Sequence, residues 1–109
     1  MVLKVYYSSV SSSPQIKKQQ QAVFMVLEGK HIEFDRIDIS VDEEQKTFMW
    51  QNSRQPDTGK PLPPQLFSDT EYLGDFEDFD EAKETKNLYI FLKLPNLEPP
   101  SPSENTDNQ

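Results

Sequence analysis

The chain has 109 residues, enough for one domain with a modest core, and its hydrophobic fraction of 34% is low for a chain folded from end to end. Its 19 acidic and 11 basic residues give a formal charge of −8, which argues against binding to the phosphate backbone of nucleic acid. It has no cysteine, which excludes disulfides, thiolate metal sites and thiol redox catalysis by this chain.

The sequence shows neither a membrane span nor a secretory signal. No apolar run approaches the length of a membrane-spanning helix, and the N-terminal stretch MVLKVYYSS lacks the charged, apolar and small-residue pattern of a signal peptide. We therefore expect a cytoplasmic protein that is small enough to reach the nucleus as well, with neither nucleic acid nor membrane among its partners.

The first elements predicted are a strand and a helix. Leu3–Tyr7 is β-branched and aromatic, which is typical of a strand buried on both faces and central in its sheet. Ser13 is a good helix N-cap and Pro14 suits the first helical position, where its missing N–H is not needed. We expect this helix to run to about Leu27, with Gly29 closing it in a left-handed conformation.

A second strand and helix follow. Residues 32–39 alternate apolar with charged side chains at their end, which predicts a strand. Ser40 and Glu43 form an S-x-x-E pattern, which predicts a capping box at the start of a second helix. That helix is expected to end near Asn52 and to place Trp50 in the core.

The second half begins with a loop rich in Pro and Gly. Residues 65–67 then predict a brief strand, and a fourth strand is expected to end at Gly74. Asp75 is placed to cap a third helix. Asn87 is a candidate cap for a last turn or two, which Pro95 would stop.

The C-terminal stretch, residues 95–109, has four prolines and no aromatic residue. It cannot bury enough surface to offset the entropy of ordering it, so we predict a disordered, Pro-rich acidic tail after a folded domain of residues 1–94. The tail contains a PxxP pattern, Pro99 to Pro102, but no basic residue flanks it, and Ser101 before Pro102 fits a proline-directed phosphorylation site.

Three stretches carry a family resemblance: IKKQQQ at 16–21, GKPLPPQLF at 59–67 and YLGDFEDFDEAKE at 72–84. Together with the order of elements, they resemble the SH3 domain-binding glutamic acid-rich-like family, whose members are related to glutaredoxins. The resemblance implies an α/β fold, namely a thioredoxin-like (glutaredoxin-like) three-layer sandwich with a four-stranded mixed sheet flanked by helices. In that fold the Pro before the third strand, here Pro64, is cis.

The resemblance also implies a body that has lost its redox chemistry. Glutaredoxins place a C-x-x-C or C-x-x-S motif where the first strand meets the first helix, and here that loop is Ser8 to Gln15. A serine hydroxyl without an adjacent base cannot replace a thiolate, so we expect no enzyme activity, no cofactor and no metal.

The resemblance leaves an alternative function open, that of a residual glutathione-binding or redox-modulator protein without thiol catalysis. Such a protein would keep a vestigial glutathione groove. The positions that would form the groove are Ser12, Ser13, Pro64, Gly74 and Asp75. The aspartate replaces the second glycine of the glutaredoxin turn, so its carboxylate would repel the carboxylate of glutathione.

The family name implies instead that the chain is a noncatalytic interaction module or adaptor that binds SH3 domains. The predicted partner-binding residues are Pro61, Leu62, Pro63, Pro64, Gln65, Leu66 and Phe67. PPQLF within this stretch also resembles the PPxxF ligands of Homer-type EVH1 domains, a second class of partner. The match to an SH3 ligand is imperfect, because the positions where such a ligand carries a basic residue are Thr58 and Leu66, and the nearby Lys60 is wrongly spaced. The sequence leaves open whether this segment is displayed as a polyproline helix or forms a turn of the fold.

No other residue predicts a chemical site. His31 is the only histidine and is expected in a solvent-facing turn. The acidic run from Asp69 to Glu84 lacks the oxygen spacing and central glycine of a calcium loop. We interpret it as a solvated helix face.

Overall fold

The computed structural model describes residues 2–94, and the predictions made for Pro95 and for the tail from 95 to 109 lie outside the described residues. The elements, in chain order, are β1 (Leu3–Tyr7), α1 (Pro14–Gly29), β2 (Asp35–Asp38), α2 (Glu43–Asn52), β3 (Gln65–Ser68), β4 (Glu71–Asp75), α3 (Phe76–Glu84) and α4 (Leu88–Phe91).

The four strands form one mixed sheet in the order β2-β1-β3-β4. β1 is parallel to β2, with Tyr7 opposite Asp38, and antiparallel to β3, with Tyr6 opposite Gln65. β3 and β4 are antiparallel. The predicted central position of the first strand and the four-stranded mixed sheet are therefore confirmed.

Side chains alternate across the sheet and create two cores, one on each face. Leu3, Val5 and Leu66 point to the face covered by α1 and α3. Tyr6 and Phe67 point to the opposite face, where α2 covers them. Helices on both faces of the sheet give the three predicted layers.

The start of α2 differs from the prediction. Its N-cap is Asp42, whose carboxylate accepts a hydrogen bond from the backbone N–H of Gln45 at 3.2 Å. Ser40 lies two residues earlier, so the predicted capping box of Ser40 and Glu43 is wrong. The strand before it is also shorter than predicted, since β2 begins only at Asp35.

The end of α1 differs as well. The N-cap Ser13 and the first-turn Pro14 are confirmed, but the helix continues through Gly29, and the residue with positive φ is His31, at 58°. His31 N–H bonds to the carbonyl of Glu28 and Ile32 N–H to that of Leu27, which is the Schellman pattern. The left-handed residue is therefore the histidine, exposed in its turn as predicted.

Trp50 is only partly buried, which corrects the prediction that it is a core residue. It packs at the margin of the core between α2 and the sheet, whereas Met49 beside it is fully buried. The ammonium groups of Lys46 and Lys60 each lie 5.0 Å from the centre of its ring. Amphipathic side chains commonly occupy such half-exposed positions.

Asp75 caps α3 as predicted, and it does so in a full capping box with Asp78. Its carboxylate accepts from the N–H of Asp78, and the Asp78 carboxylate accepts from the N–H of Asp75. Asn87 precedes α4, but its side chain makes no capping bond there.

Candidate functional site

The edge where the parallel strands β1 and β2 end is the usual ligand-binding edge of an α/β sheet. The loop after β1, the turn after β2 and the segment before β3 all meet there, since the end of β1 pairs with the end of β2 and with the start of β3. The site residues that the sequence predicts before β3 lie in two of these segments. Ser12 and Ser13 belong to the loop after β1, and residues 61–64 form the segment before β3.

A groove of about 380 Å³ opens beside this edge, and we call it the proline groove. It lies between the first turns of α1, the loop after α2 and the start of α3. Its lining residues are Ser13, Gln15, Ile16, Gln19, Arg54, Gln55, Pro56, Thr58, Lys60, Pro61, Leu62, Pro63, Pro64, Gln65, Asp75, Phe76 and Glu77.

The seven residues predicted to bind a partner are mostly buried. Pro61, Pro63, Pro64 and the three residues that follow are buried, and Leu66 and Phe67 are 0% exposed within β3. Leu62 is the exception, with 64% of its surface exposed. The Pro63–Pro64 bond is cis, as the resemblance implied. The segment is therefore a turn of the fold that displays one apolar side chain.

Gln65 holds this turn in place. Its side-chain amide donates to the carbonyl of Leu62 at 2.8 Å, and its side-chain oxygen accepts from the hydroxyl of Tyr72 at 2.8 Å. Burial raises the pKa of Tyr72, so the hydroxyl stays protonated and donates. These two hydrogen bonds thus connect Tyr72 of β4, through Gln65, to the exposed Leu62.

Arg54 is the site residue that the sequence reasoning missed. Its guanidinium donates to Asp78 at 2.6 Å and lies 3.5 Å from Asp75. The hydrogen bond to Asp78 raises the pKa of Arg54 above its ordinary value. No local pattern marks this residue, because its partners lie 21 and 24 positions further along the chain.

The start of α3 is already occupied by the protein's own carboxylate. Asp75 accepts from one of the free N–H groups of the first helical turn, which an anionic ligand would otherwise use. Gly74 packs against this capping box, since an added Cβ would come within 2.8 Å of the Asp78 Cβ. Asp75 lines the proline groove, whereas Gly74 does not.

The loop from Ser8 to Gln15 contributes two groove residues, Ser13 and Gln15. Ser13 lines the groove and its hydroxyl caps α1 by accepting from the N–H of Ile16. Ser12 is exposed and outside the lining. The buried Gln20 fixes the loop by bonding to both the N–H and the carbonyl of Ser8. Of the five vestigial positions, the groove therefore brings together Ser13, Pro64 and Asp75.

A larger cavity, of about 560 Å³, lies at the other end of the sheet, next to the start of β2. Arg36 dominates it, with its guanidinium 4.2 Å from the ring centre of Phe24 and paired with Glu28. The guanidinium is therefore already engaged by Glu28 and Phe24. Because the cavity lies away from the ends of the parallel strands, we place the candidate site in the proline groove.

Between residues 2 and 94, no three potential metal ligands of the histidine, cysteine or carboxylate types come together. No helix in this part of the chain has both the length and the apolar character needed to cross a membrane.

A family model described as "SH3-binding, glutamic acid-rich protein" matches residues 1–95. The chain belongs to this family. It is also 45% identical over 103 residues to the SH3 domain-binding glutamic acid-rich protein homolog of Drosophila melanogaster. That match covers 86% of the chain but 65% of the relative, so the chain spans somewhat less than two thirds of the relative's length.

Solved structures agree with the fold that the sequence predicts for this chain. The actin interacting protein Aip5 of C. albicans is 26% identical, with a TM-score of 0.66 over 84% of this chain and 87% of its own. A buckwheat glutaredoxin–glutathione complex is 11% identical, with a TM-score of 0.59 over 89% of this chain and 81% of its own. The thioredoxin-like, glutaredoxin-like fold is confirmed, and at 11% identity the glutaredoxin likeness extends to the fold alone.

Proposed function

We propose that this member of the SH3-binding, glutamic acid-rich family is a noncatalytic adaptor that binds SH3 domains through the exposed face of the turn around Leu62. Homer-type EVH1 domains are the second partner class. The single observation behind this proposal is the exposure of Leu62 in a turn whose prolines are buried. The cytoplasmic location stays a prediction.

A polyproline helix is not the form in which this turn meets a partner. An SH3 groove needs both prolines of PxxP on its aromatic ridges, and Pro61 and Pro64 are buried in the folded chain. We infer that the partner contacts the surface of the folded turn. The turn is held by Gln65, so little entropy is lost when it binds.

Lys60 supplies the positive charge that the linear motif lacks. It is exposed, lies two residues before Leu62 and lines the same groove, and its ammonium is 5.0 Å from the centre of the Trp50 ring. The spacing rule for SH3 ligands applies to an extended peptide, whereas the fold sets the position of Lys60 on this surface. An ammonium beside an apolar side chain is complementary to the acidic pocket that SH3 domains place beside their aromatic groove.

The experiment is a titration of the ¹⁵N-labelled full chain with a panel of purified SH3 domains and one Homer-type EVH1 domain. We expect shifts centred on Lys60 and Leu62. Leu62→Asp should weaken binding at least about tenfold, a loss expected for an anchor residue. Ile90→Asp is the matched control, because Ile90 is an apolar residue with almost the same exposure, 63%, and does not line the proline groove.

A synthetic peptide of residues 58–68 separates the two modes of binding. If the peptide binds and the folded chain does not, the segment acts only after local opening, and surface recognition is wrong. If neither binds any domain of the panel, the SH3 proposal itself is rejected.

Glutathione binding without catalysis is the alternative, favoured by the groove that contains Ser13, Pro64 and Asp75. Asp75 opposes it, because its carboxylate takes the N–H of Asp78 that would otherwise be available to an anion. A titration of the labelled chain with millimolar reduced glutathione tests this alternative, and shifts confined to the proline groove would support it over the SH3 proposal.

A further inference from the structure

The S-x-x-E pattern at Ser40 has no capping role, because Asp42 caps α2. Ser40 lies in the exposed turn between β2 and α2, and carboxylates follow it at the second, third and fourth positions, in Asp42, Glu43 and Glu44. We propose that Ser40 is a phosphorylation site for an acid-directed serine kinase, and that a phosphate there separates this turn from the loop after β1.

The charges around Ser40 fit a kinase with a basic substrate groove. Glu43 has a side chain that is 82% exposed, and Glu44 is exposed beside it. Glu43 pairs with Lys46 at 3.5 Å, but this ion pair is largely exposed to solvent and therefore weak, so both carboxylates remain accessible to such a groove through charge complementarity. Ser9, which touches Ser40, offers the contrast: the four residues after it are Val and three Ser, without a carboxylate.

Ser40 also joins two loops of the sheet edge. Its hydroxyl donates to the Asp38 carboxylate at 2.6 Å, and its N–H bonds to the same oxygen at 3.0 Å. The N–H of Ser9 bonds to that oxygen as well, at 3.2 Å, and the two serine hydroxyls lie 3.2 Å apart. Asp38 therefore holds the turn after β2 against the loop after β1, and Ser40 is part of that contact.

The kinase would transfer the γ-phosphoryl group of ATP to the Ser40 hydroxyl. A bond forms between Oγ and the γ-phosphorus, the bond from that phosphorus to the β–γ bridging oxygen breaks, ADP leaves, and the hydroxyl proton passes to the kinase's catalytic base. The ester oxygen can no longer donate to Asp38. The phosphate also adds a charge of about −1.5 to −2 beside that carboxylate.

Repulsion from the neighbouring groups opens the contact. Asp38 lies within hydrogen-bond distance of the modified atom, and Asp42 already occupies the N-terminus of α2, where the helix dipole would otherwise attract the phosphate. Ser9 then loses its partner hydroxyl. The modification would reach the loop from Ser8 to Gln15, which borders the proline groove.

The test treats the full chain with a purified acid-directed serine kinase of the casein kinase 2 type and ATP, and locates the phosphate by mass spectrometry. Ser101→Ala with Ser103→Ala serves as the background, since both tail serines stand near acidic residues. We expect phosphate at Ser40, none at Ser9, loss of the signal in Ser40→Ala, and a rate about tenfold lower in a variant with Glu43→Gln and Glu44→Gln. Absence of phosphate at Ser40 overturns the site.

The structural consequence has its own measurement. In the phosphorylated chain, we expect the backbone amide signals of Ser9 and Val10 to shift and the Ser9 amide to exchange faster with solvent. Ser40→Ala removes the same hydroxyl without adding charge, so its shifts at these amides should be smaller. Phosphorylation at Ser40 with unchanged Ser9 and Val10 signals would overturn the separation of the two loops.

Discussion

Arg54 donates a 2.6 Å hydrogen bond to Asp78, so the loop after α2 is fastened to the first turn of α3. Residues of this loop and of the start of α3 both line the proline groove. The arginine side chain is 58% exposed and that of Asp78 32%, so solvent screens the pair. A pair of this kind contributes little to stability and more to the position of the loop.

Arg54→Met is expected to lower the free energy of unfolding by only about 0.5 kcal/mol, because exposed ion pairs are worth about 0.2–1 kcal/mol. Met keeps the apolar stem without the charge. Hydrogen exchange of the loop amides should nevertheless become faster, and urea unfolding gives the stability. Arg54→Lys is the control that keeps the charge. Unchanged exchange in the loop of Arg54→Met would show that the pair does not hold the loop.

Gln65→Leu tests whether partner binding depends on the position in which Gln65 holds Leu62, since the leucine side chain itself is unchanged. The substitution leaves the Leu62 carbonyl and the Tyr72 hydroxyl without the Gln65 side chain as partner. Because both bonds are only part-buried, we expect a cost near the low end of the about 1–3 kcal/mol that an unpaired buried polar group carries. We expect weaker SH3 binding although Leu62 itself is unchanged. Binding is measured with the SH3 domain that the panel identifies.

Tyr72→Phe is the matched control for Gln65→Leu. It removes the bond to the Gln65 oxygen and leaves the bond from Gln65 to Leu62 intact. It should therefore cost stability with little effect on binding. Equal losses of binding in both variants would mean that Gln65 does not act through Leu62.

The order of strands and helices was predictable because apolar periodicity and local caps determine it. Ser13, Pro14 and Asp75 act at the helix starts that their residue types predicted. The errors in the helix caps fall where two residues compete for one role over a short distance. Asp42, three residues before Gln45, outcompetes Ser40 as the cap, and a sequence pattern alone gives both residues the same rank.

The site was less predictable because its contacts are long-range. Leu62 and Gln65 were within the predicted stretch. Only the burial of each residue shows that Leu62 is displayed and that Gln65 holds it in position. Arg54 reaches its carboxylates only because the sheet brings α3 beside the loop after α2. No periodicity within a window of residues could show this.

His31→Gly is expected to raise stability by about 1 kcal/mol. His31 has a φ of 58°, and the left-handed conformation costs an ordinary L-residue about 1–2 kcal/mol, part of which is offset by the freedom glycine has in the unfolded chain. Thermal unfolding measures the change. His31→Ala keeps the Cβ and should bring no gain; a similar gain in both variants would show that the backbone conformation is not the cause.

Gly74→Ala should destabilise the chain by at least about 2 kcal/mol, within the range for overpacking a buried site. An added Cβ would lie 2.6 Å from an Asp78 carboxylate oxygen and 3.0 Å from the Phe91 ring, so the capping box of α3 must shift. Urea unfolding gives the free energy. Gly29→Ala is the control, since nothing lies within 4 Å of its added Cβ, and it should be neutral or stabilising.

Asp38 makes stability depend on pH in the acid range. Desolvation would raise the pKa of Asp38, but hydrogen bonds from the side chains and amides of Ser40 and Ser9 outweigh it and lower the pKa to about 2. A carboxyl whose folded pKa lies below its unfolded value, about 3.9, stabilises the fold above pH 4, and this contribution disappears as the pH falls toward 2.

Asp38→Asn should therefore be less stable than the parent chain at pH 6, with a gap in free energy of unfolding that closes between pH 4 and pH 2. Asp57→Asn, in an exposed loop, controls for general charge effects. A gap that stays constant from pH 6 to pH 2 would contradict this role of Asp38.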